Sequence, residues 1–234
     1  MKKLLLQDIN FKFKPQEQPF FHDVHMEFDS GAIYFIQGKN GVGKSTFFSI
    51  LQGTTPRNAV LTGKISFDGT EFSIKNNCMD NTITSKVKTV VQDINKMIIN
   101  AMTIEENLRL AHLPKYPHLL PLAHDITIPT LIKEFGITNL KKNVQQLSGG
   151  QKQILAIIMA LQKPTQILLL DEPTAALDEK NTHMVMQFLT NLAKTLNLIV
   201  MIITHDKELT VTYPQNRTVT IVMNKAGVRT IELL

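Results

Sequence analysis

Nine consecutive residues, Gly38 to Thr46 (GKNGVGKST), have the types and spacing needed to hold a polyphosphate. Glycines at 38, 41 and 43 admit backbone angles closed to side chains, so successive amide groups can turn inward and cradle phosphate oxygens. The apolar run Ala32 to Gln37 (AIYFIQ) before them reads as a buried strand, and Phe47, Phe48, Ile50 and Leu51 after them have helical spacing. A helix starting near Lys44 would add the positive end of its dipole. In this strand, loop and helix, Lys44 would reach the outer phosphates of a nucleotide and the Ser45 hydroxyl would ligate magnesium. A plain glycine-rich turn would not explain the buried lead-in or the Lys-Ser pair.

Two acids farther along have the chemistry to act on such a ligand. Ile167 to Leu170 (ILLL) is a fully apolar run of the parallel-sheet type, with Asp171 and Glu172 at its carboxyl end. In an open parallel sheet, ligands collect at that edge. Asp171 would hold magnesium through water, while Glu172 would orient or deprotonate the attacking water. Leu198 to Ile203 is another buried strand, and it delivers Thr204, His205 and Asp206 to the same edge, His205 within reach of a terminal phosphate. Leu147 to Gln151 (LSGGQ) opens a helix running to about Gln162, ended by Pro164. Its serine and glycine pair suit a second phosphate-binding device, although a glycine-rich helix start is common by itself.

These side chains need a scaffold. Leu4 to Phe13 and Val24 to Phe28 alternate apolar and polar residues, with turns at Pro15 to Pro19 and Ser30-Gly31. They predict antiparallel strands flanking the nucleotide core. Phe13 is an aromatic that could stack on an adenine or equally face the core. Gly53 to Asn58 breaks the pattern, Lys64 to Asp68 before Gly69 reads as a short strand and turn, and Thr70 to Ser85 reads as surface structure. Val87 to Val91 is a strand ending at Gln92. Met102 to Leu113 is an amphipathic helix capped by Thr103, with Glu105 and Glu106 in its first turn. Prolines 114, 117, 121 and 129 follow, then a second helix from Pro129 to Phe135, so this region reads as a helical insertion. His112, His118 and His124 fall in it; a proline-broken segment offers no rigid metal geometry, which favours solvated histidines. A helix from Asp178 to about Leu196 and strands at Arg217 to Met223 and Val228 to Leu233 complete the chain.

Composition agrees with an ordinary soluble α/β domain: 234 residues, 43% hydrophobic and 19% charged. No apolar run approaches the roughly eighteen residues needed to cross a bilayer, and MKKLLLQDIN is too short in apolar residues for a signal-peptide core. A cytoplasmic protein is expected. The single cysteine, Cys78, agrees with a reducing compartment. The net charge of +5 comes from scattered lysines, which reads as a solvated face rather than a nucleic-acid surface.

Taken in order, GKNGVGKST, Gln92 after a strand, LSGGQ, ILLLDEP, Ala176-Leu177-Asp178 and a histidine after the next strand resemble the nucleotide-binding subunit of ATP-binding cassette transporters over essentially the whole chain. The resemblance implies an α/β fold: a P-loop NTPase core with a mainly parallel sheet, an N-terminal antiparallel β subdomain and an inserted α-helical subdomain. The RecA-like core would take residues 1–94 and 163–234, and the helical part 95–162. ATP and Mg2+ are the implied ligands. ATP would lie on Gly38, Asn40, Gly41, Gly43, Lys44, Ser45 and Thr46, with Phe13 in the place of the adenine-stacking aromatic. Ser45, Gln92 and Asp171 would surround the metal, Glu172, His205 and Gln92 would serve hydrolysis, and Gln92 would couple the site to a membrane partner. Ser148, Gly149, Gly150 and Gln151 would complete the ATP site of an opposing subunit, and Asp178 would cross the interface of a homodimer formed on ATP binding.

The resemblance also implies integral membrane permease subunits, a separate substrate-binding protein and a place on the cytoplasmic side of the membrane. Ile154 and Met159 stand where many members carry arginine, and Ala175 replaces a frequent serine. These departures touch the subfamily, which looks like bacterial importer ATPases, some linked to amino acid uptake, and remove no group that hydrolysis needs. Two other readings are an export ATPase and a cassette ATPase acting on nucleic acid or ribosomes. The second usually shows paired cassettes, a coiled coil or dense basic segments, none visible here. A binding module without catalysis is opposed by intact Lys44, Asp171, Glu172 and His205.

Overall fold

The computed structural model describes residues 2–72, 74–75, 78–79, 81–113 and 130–233. Alternating patterns at the amino end give β1 (Lys3–Lys12) and β2 (Phe21–Asp29), which pair antiparallel. β3 (Ala32–Gln37) leads into the glycine loop and α1 (Lys44–Gln52). β4 (Val60–Phe67) and β5 (Thr70–Phe72) form a hairpin on β1, turning at Asp68-Gly69 with both residues in the left-handed region, as a tight two-residue turn requires. β6 (Ile74–Lys75) and β7 (Cys78–Met79) form a separate small ribbon ahead of the short α2 (Asn81–Thr84) and β8 (Val87–Val90).

The middle of the chain supplies α3 (Ile104–His112) and α4 (Gly149–Ala160). Then come β9 (Ile167–Asp171), α5 (Glu179–Leu196), β10 (Ile199–Ile203), α6 (Lys207–Thr212), β11 (Arg217–Met223) and β12 (Arg229–Leu233). One ten-stranded sheet runs β5-β4-β1-β2-β12-β11-β3-β10-β9-β8. From β11 to β8 the neighbours are all parallel; β1, β2, β4 and β5 are antiparallel. The two parts meet where β12 lies parallel to β2 through the single pair Arg229 and Phe21.

The central strands are apolar throughout because both their faces are covered. Ile167, Leu169, Ile199, Met201 and Ile203 join the core that holds α1 and the antiparallel strands. Leu168, Leu170, Val200 and Ile202 join the opposite core with α4 and α5. Each such buried side chain contributes on the order of 1.5–3 kcal/mol. This double anchoring fixes the carboxyl ends of β3, β9 and β10, where the candidate site lies.

Several sequence expectations need correcting. β4 begins at Val60 rather than Lys64, because Gly63, at φ +121 against the Asp8 and Gln7 carbonyls, interrupts the alternation at a bulge. Within Thr70 to Ser85, expected to be surface, Ile83 is fully buried, and Gly53 leaves room for the Thr84 side chain, which a Cβ would meet at 2.9 Å. A single turn of helix is too short to show periodicity. The second inserted helix is a 3-10 segment, Thr130–Phe135, whose expected first residue, Pro129, lies outside the described residues. His112 closes α3, while His118 and His124 lie outside the described residues.

Candidate active site

α1 starts without a side-chain cap: Gly43 occupies the N-cap position at φ +119, so the first amides of the helix face the loop. The glycines are needed for different reasons. A Cβ on Gly41 would meet nothing within 4 Å, so its φ of +73 alone demands glycine, whereas a Cβ on Gly43 would stand 2.7 Å from the Phe20 ring. Lys44 is only 7% exposed. Its Nζ donates to the carbonyls of Gly38 (2.8 Å) and Lys39 (3.3 Å), which holds the ammonium over the loop. Burial lowers its pKa, and Glu172 and Asp171 pull the other way.

β9 ends in Asp171, and Glu172 then takes a left-handed backbone, φ +48, with its amide donating to the Ile203 carbonyl of β10 at 2.9 Å. A non-glycine residue there is strained by about 1–3 kcal/mol and is held only by its surroundings. Gln92, just past β8, donates from Nε2 to Glu172 Oε2 (3.1 Å). His205, past β10, places Nε2 at 3.2 Å from Oε1 of the same carboxylate. Asp171 is raised in pKa, first by burial and then by the neighbouring Glu172 charge, against Lys44 and His205.

Asn40, Gly41, Gly43, Lys44, Ser45, Thr46, Gln92, Asp171, Glu172 and His205 line one cavity of about 310 Å³. Ser45, Gln92 and Asp171 offer it a hydroxyl, an amide oxygen and a carboxylate. An all-oxygen donor set of this kind suits a hard cation such as Mg2+, and the amide nitrogen of Gln92, committed to Glu172, leaves its oxygen for the metal. Elsewhere, among the described residues, Asp8, Asp23 and His25 bring ligand atoms within 4.8 Å of one another on β1 and β2. Both carboxylates of that exposed trio are paired with the imidazole, at 3.3 and 2.9 Å.

The remaining expected residues stand apart. Ser148 caps α4 by accepting the Gln151 amide, and the Gln151 side chain returns to the Ser148 amide, each at 3.2 Å. Ser148 Oγ also donates to Asn181 Oδ1 (3.2 Å), and the Asn181 amide donates to both oxygens of Asp178, the cap of α5. Ser148, Gln151, Asn181 and Asp178 line a different cavity, of about 660 Å³. Gly150 is there for packing, since a Cβ would lie 2.4 Å from Met184 and 2.6 Å from Asn181 on α5. Within one chain, then, the expected site residues form two separate groups.

Phe13, partly buried just past β1, stands outside both groups. Its ring meets Phe20 edge to face at 4.9 Å, and the Phe20 ring, with Phe21, fills the space a side chain on Gly43 would need. Sequence reasoning missed Phe20, which reads as one more apolar residue before a strand, and Asn181, which reads as helix surface.

A P-loop nucleotide-binding fold with two acids at the switch edge defines the class. The model of the ABC transporter family matches residues 21–175, and the chain belongs to that family. It is 32% identical over 209 residues to the methionine import ATP-binding protein MetN of Streptococcus agalactiae, covering 86% of this chain and 56% of that protein. It is 33% identical over 192 residues to the tyrosine transport ATP-binding protein of Clostridioides difficile, covering 80% and 74%. The chain thus spans little more than half the length of the methionine import relatives. Among solved structures, cbiO1 of Clostridium perfringens, described as part of the ABC transporter complex cbiONQ, superposes with a TM-score of 0.72 over 97% of this chain and 86% of that one. At 24% identity that likeness speaks to the fold alone.

Proposed function

We propose that this chain binds Mg2+ and ATP and hydrolyses the nucleotide to drive import of a small solute, in the amino acid class, through separate membrane permease subunits. The observation that carries the reading is the convergence of Lys44, Ser45, Gln92, Asp171, Glu172 and His205 on one cavity. When bound, the cation would neutralise phosphate charge. Lys44, released from the loop carbonyls, binds the outer phosphates; Ser45, Gln92 and Asp171 would hold the metal. Glu172, fixed from both sides by Gln92 and His205, orients the attacking water and accepts its proton, while His205 contacts the terminal phosphate.

Import is favoured over export by the relatives named as methionine import and tyrosine transport proteins. Among the described residues no helix is long and apolar enough to cross a membrane, so passage of solute would fall to partner subunits. Residues 1–94 and 163–234 form the nucleotide core on this reading and 95–162 the helical part, whose stretch from about 95 to 145 faces the permease. Phe13 stacks on the adenine. A solute-binding protein and a homodimer belong to the same reading. The test is phosphate release from ATP by the purified chain. Release that requires Mg2+ and is lost in Lys44→Ala is expected; release unaffected by that substitution would overturn the assignment.

A further inference from the structure

The Phe20 ring packs on Phe11 and Phe21, and it has three further neighbours that none of the roles above uses together. On one side it meets Phe13 edge to face at 4.9 Å. Its edge lies against Gly43, whose missing side chain makes the approach possible. Over its face sits the guanidinium of Arg229, with Cζ 3.9 Å from the ring centroid. An arginine this close to an aromatic face is attracted by the ring quadrupole.

Arg229 is built into that position. Its amide donates to the Phe20 carbonyl at 3.0 Å, and it is the single β12 residue paired with β2. Nη1 donates to the Gly227 carbonyl at 2.5 Å. Nε is buried with no hydrogen-bond partner. Leaving a buried donor unpaired is unfavourable, and the contact with the ring recovers part of that cost.

We infer that Phe20 and Arg229 are positioning residues for the nucleobase: the guanidinium pins the Phe20 ring, and Phe20, together with the buried Phe11 that also meets Phe13 edge to face at 5.1 Å, sets the Phe13 ring and its distance from the phosphate loop at Gly43. The inference rests on the reading of Phe13 as the base-stacking residue. A base that meets a pre-set aromatic binds without first ordering it, which raises affinity for the base but not for phosphate. The seam between the antiparallel and parallel parts of the sheet thereby becomes part of the nucleotide site.

Calorimetric titration with Mg-ATP and with magnesium tripolyphosphate, both in a Glu172→Gln background, separates base from phosphate binding. Arg229→Met keeps an unbranched stem and removes the charged plane. It should weaken ATP binding about two- to fivefold and leave tripolyphosphate unchanged. Combining it with Phe13→Ala should weaken ATP no further than Phe13→Ala alone. Arg229→Lys, which keeps the charge without the plane, should fall between wild type and Arg229→Met, and it supplies the comparison should Arg229→Met not fold. If Phe13→Ala leaves ATP affinity intact, the base-stacking reading of Phe13 fails. If Phe13→Ala weakens ATP while the Arg229 variants do not, or if they weaken tripolyphosphate equally, the role of Arg229 is refuted and the Phe13 reading stands.

Discussion

His205 Nε2 lies 3.2 Å from Glu172 Oε1 and ties the end of β10 to the acid that follows β9. With Gln92 on the other oxygen, the carboxylate is aimed before any nucleotide arrives. Glu172→Gln should keep the phosphate loop intact, bind Mg-ATP, and hydrolyse it at least about a hundredfold more slowly. Lys44→Ala should lose binding itself. Near-normal turnover in Glu172→Gln would remove Glu172 from the chemistry.

Asp171 gives a pH test. Burial and the Glu172 charge raise its pKa, so the folded chain takes up this proton more readily than the unfolded chain, and the stability it costs is greatest above the raised pKa. Asp171→Asn should therefore raise the melting temperature of the nucleotide-free protein at neutral pH. The gain should shrink as the pH falls through the raised pKa. Over the same interval wild-type Mg2+ affinity should decline, at a higher pH than an ordinary aspartate would give. A lower melting temperature for Asp171→Asn at neutral pH would contradict this.

Asn107 is fully buried, yet its side chain is well matched: Nδ2 donates to the Ile99 and Thr103 carbonyls at 3.1 and 2.9 Å, and Oδ1 accepts the Ile99 amide at 2.7 Å. It fastens the loop after Gln92 to α3. Asn107→Ala should cost about 1–3 kcal/mol by stranding those backbone groups, read as a shift in the urea midpoint. A change inside experimental error would show that water replaces the amide.

The two separated groups of site residues lead to a mixing experiment. One phosphate cradle needs Gly38 to Thr46; if the second, at Ser148 to Gln151, serves the same ATP from another copy, the dimer is two-fold symmetric and holds two sites. Heterodimers of Lys44→Ala and Ser148→Arg then contain one undamaged site. Mixing should restore activity above either variant, and wild-type specific activity should rise with protein concentration. Constant specific activity where sedimentation finds only monomer would exclude the shared site.

Ile99 and Leu110, 43% and 39% exposed, lie in the stretch running from Gln92 through α3. Replacing both by glutamate should reduce solute uptake in a reconstituted transporter while ATP hydrolysis by the isolated chain is kept. Equal loss of both would argue against docking there.

The sequence was most readable where physics allows few alternatives. AIYFIQ and ILLL announce strands covered on both faces, and Thr103 with Glu106 announces the cap that α3 uses, where the Glu106 carboxylate receives the Thr103 amide. α6 was not visible because its Lys207–Thr212 run ends in β-branched residues that suit a strand equally well. Arg229 on Phe20 was hidden more deeply, since it depends on a pairing between opposite ends of the chain that no local pattern encodes. Gly150 was legible as a glycine but not for its reason, which is the approach of α5.

The sheet order also carries a consequence for synthesis. β3, which presents the phosphate loop, has β10 and β11 as its two neighbours, and both lie beyond residue 198. While the ribosome makes the preceding residues, AIYFIQ is an apolar strand with both edges unpaired, the kind of surface on which nascent chains associate wrongly. Its partners emerge only after residue 198 has been made. The phosphate loop is therefore made well before the strands that flank it, and until β10 and β11 are present the nascent chain has no formed nucleotide site.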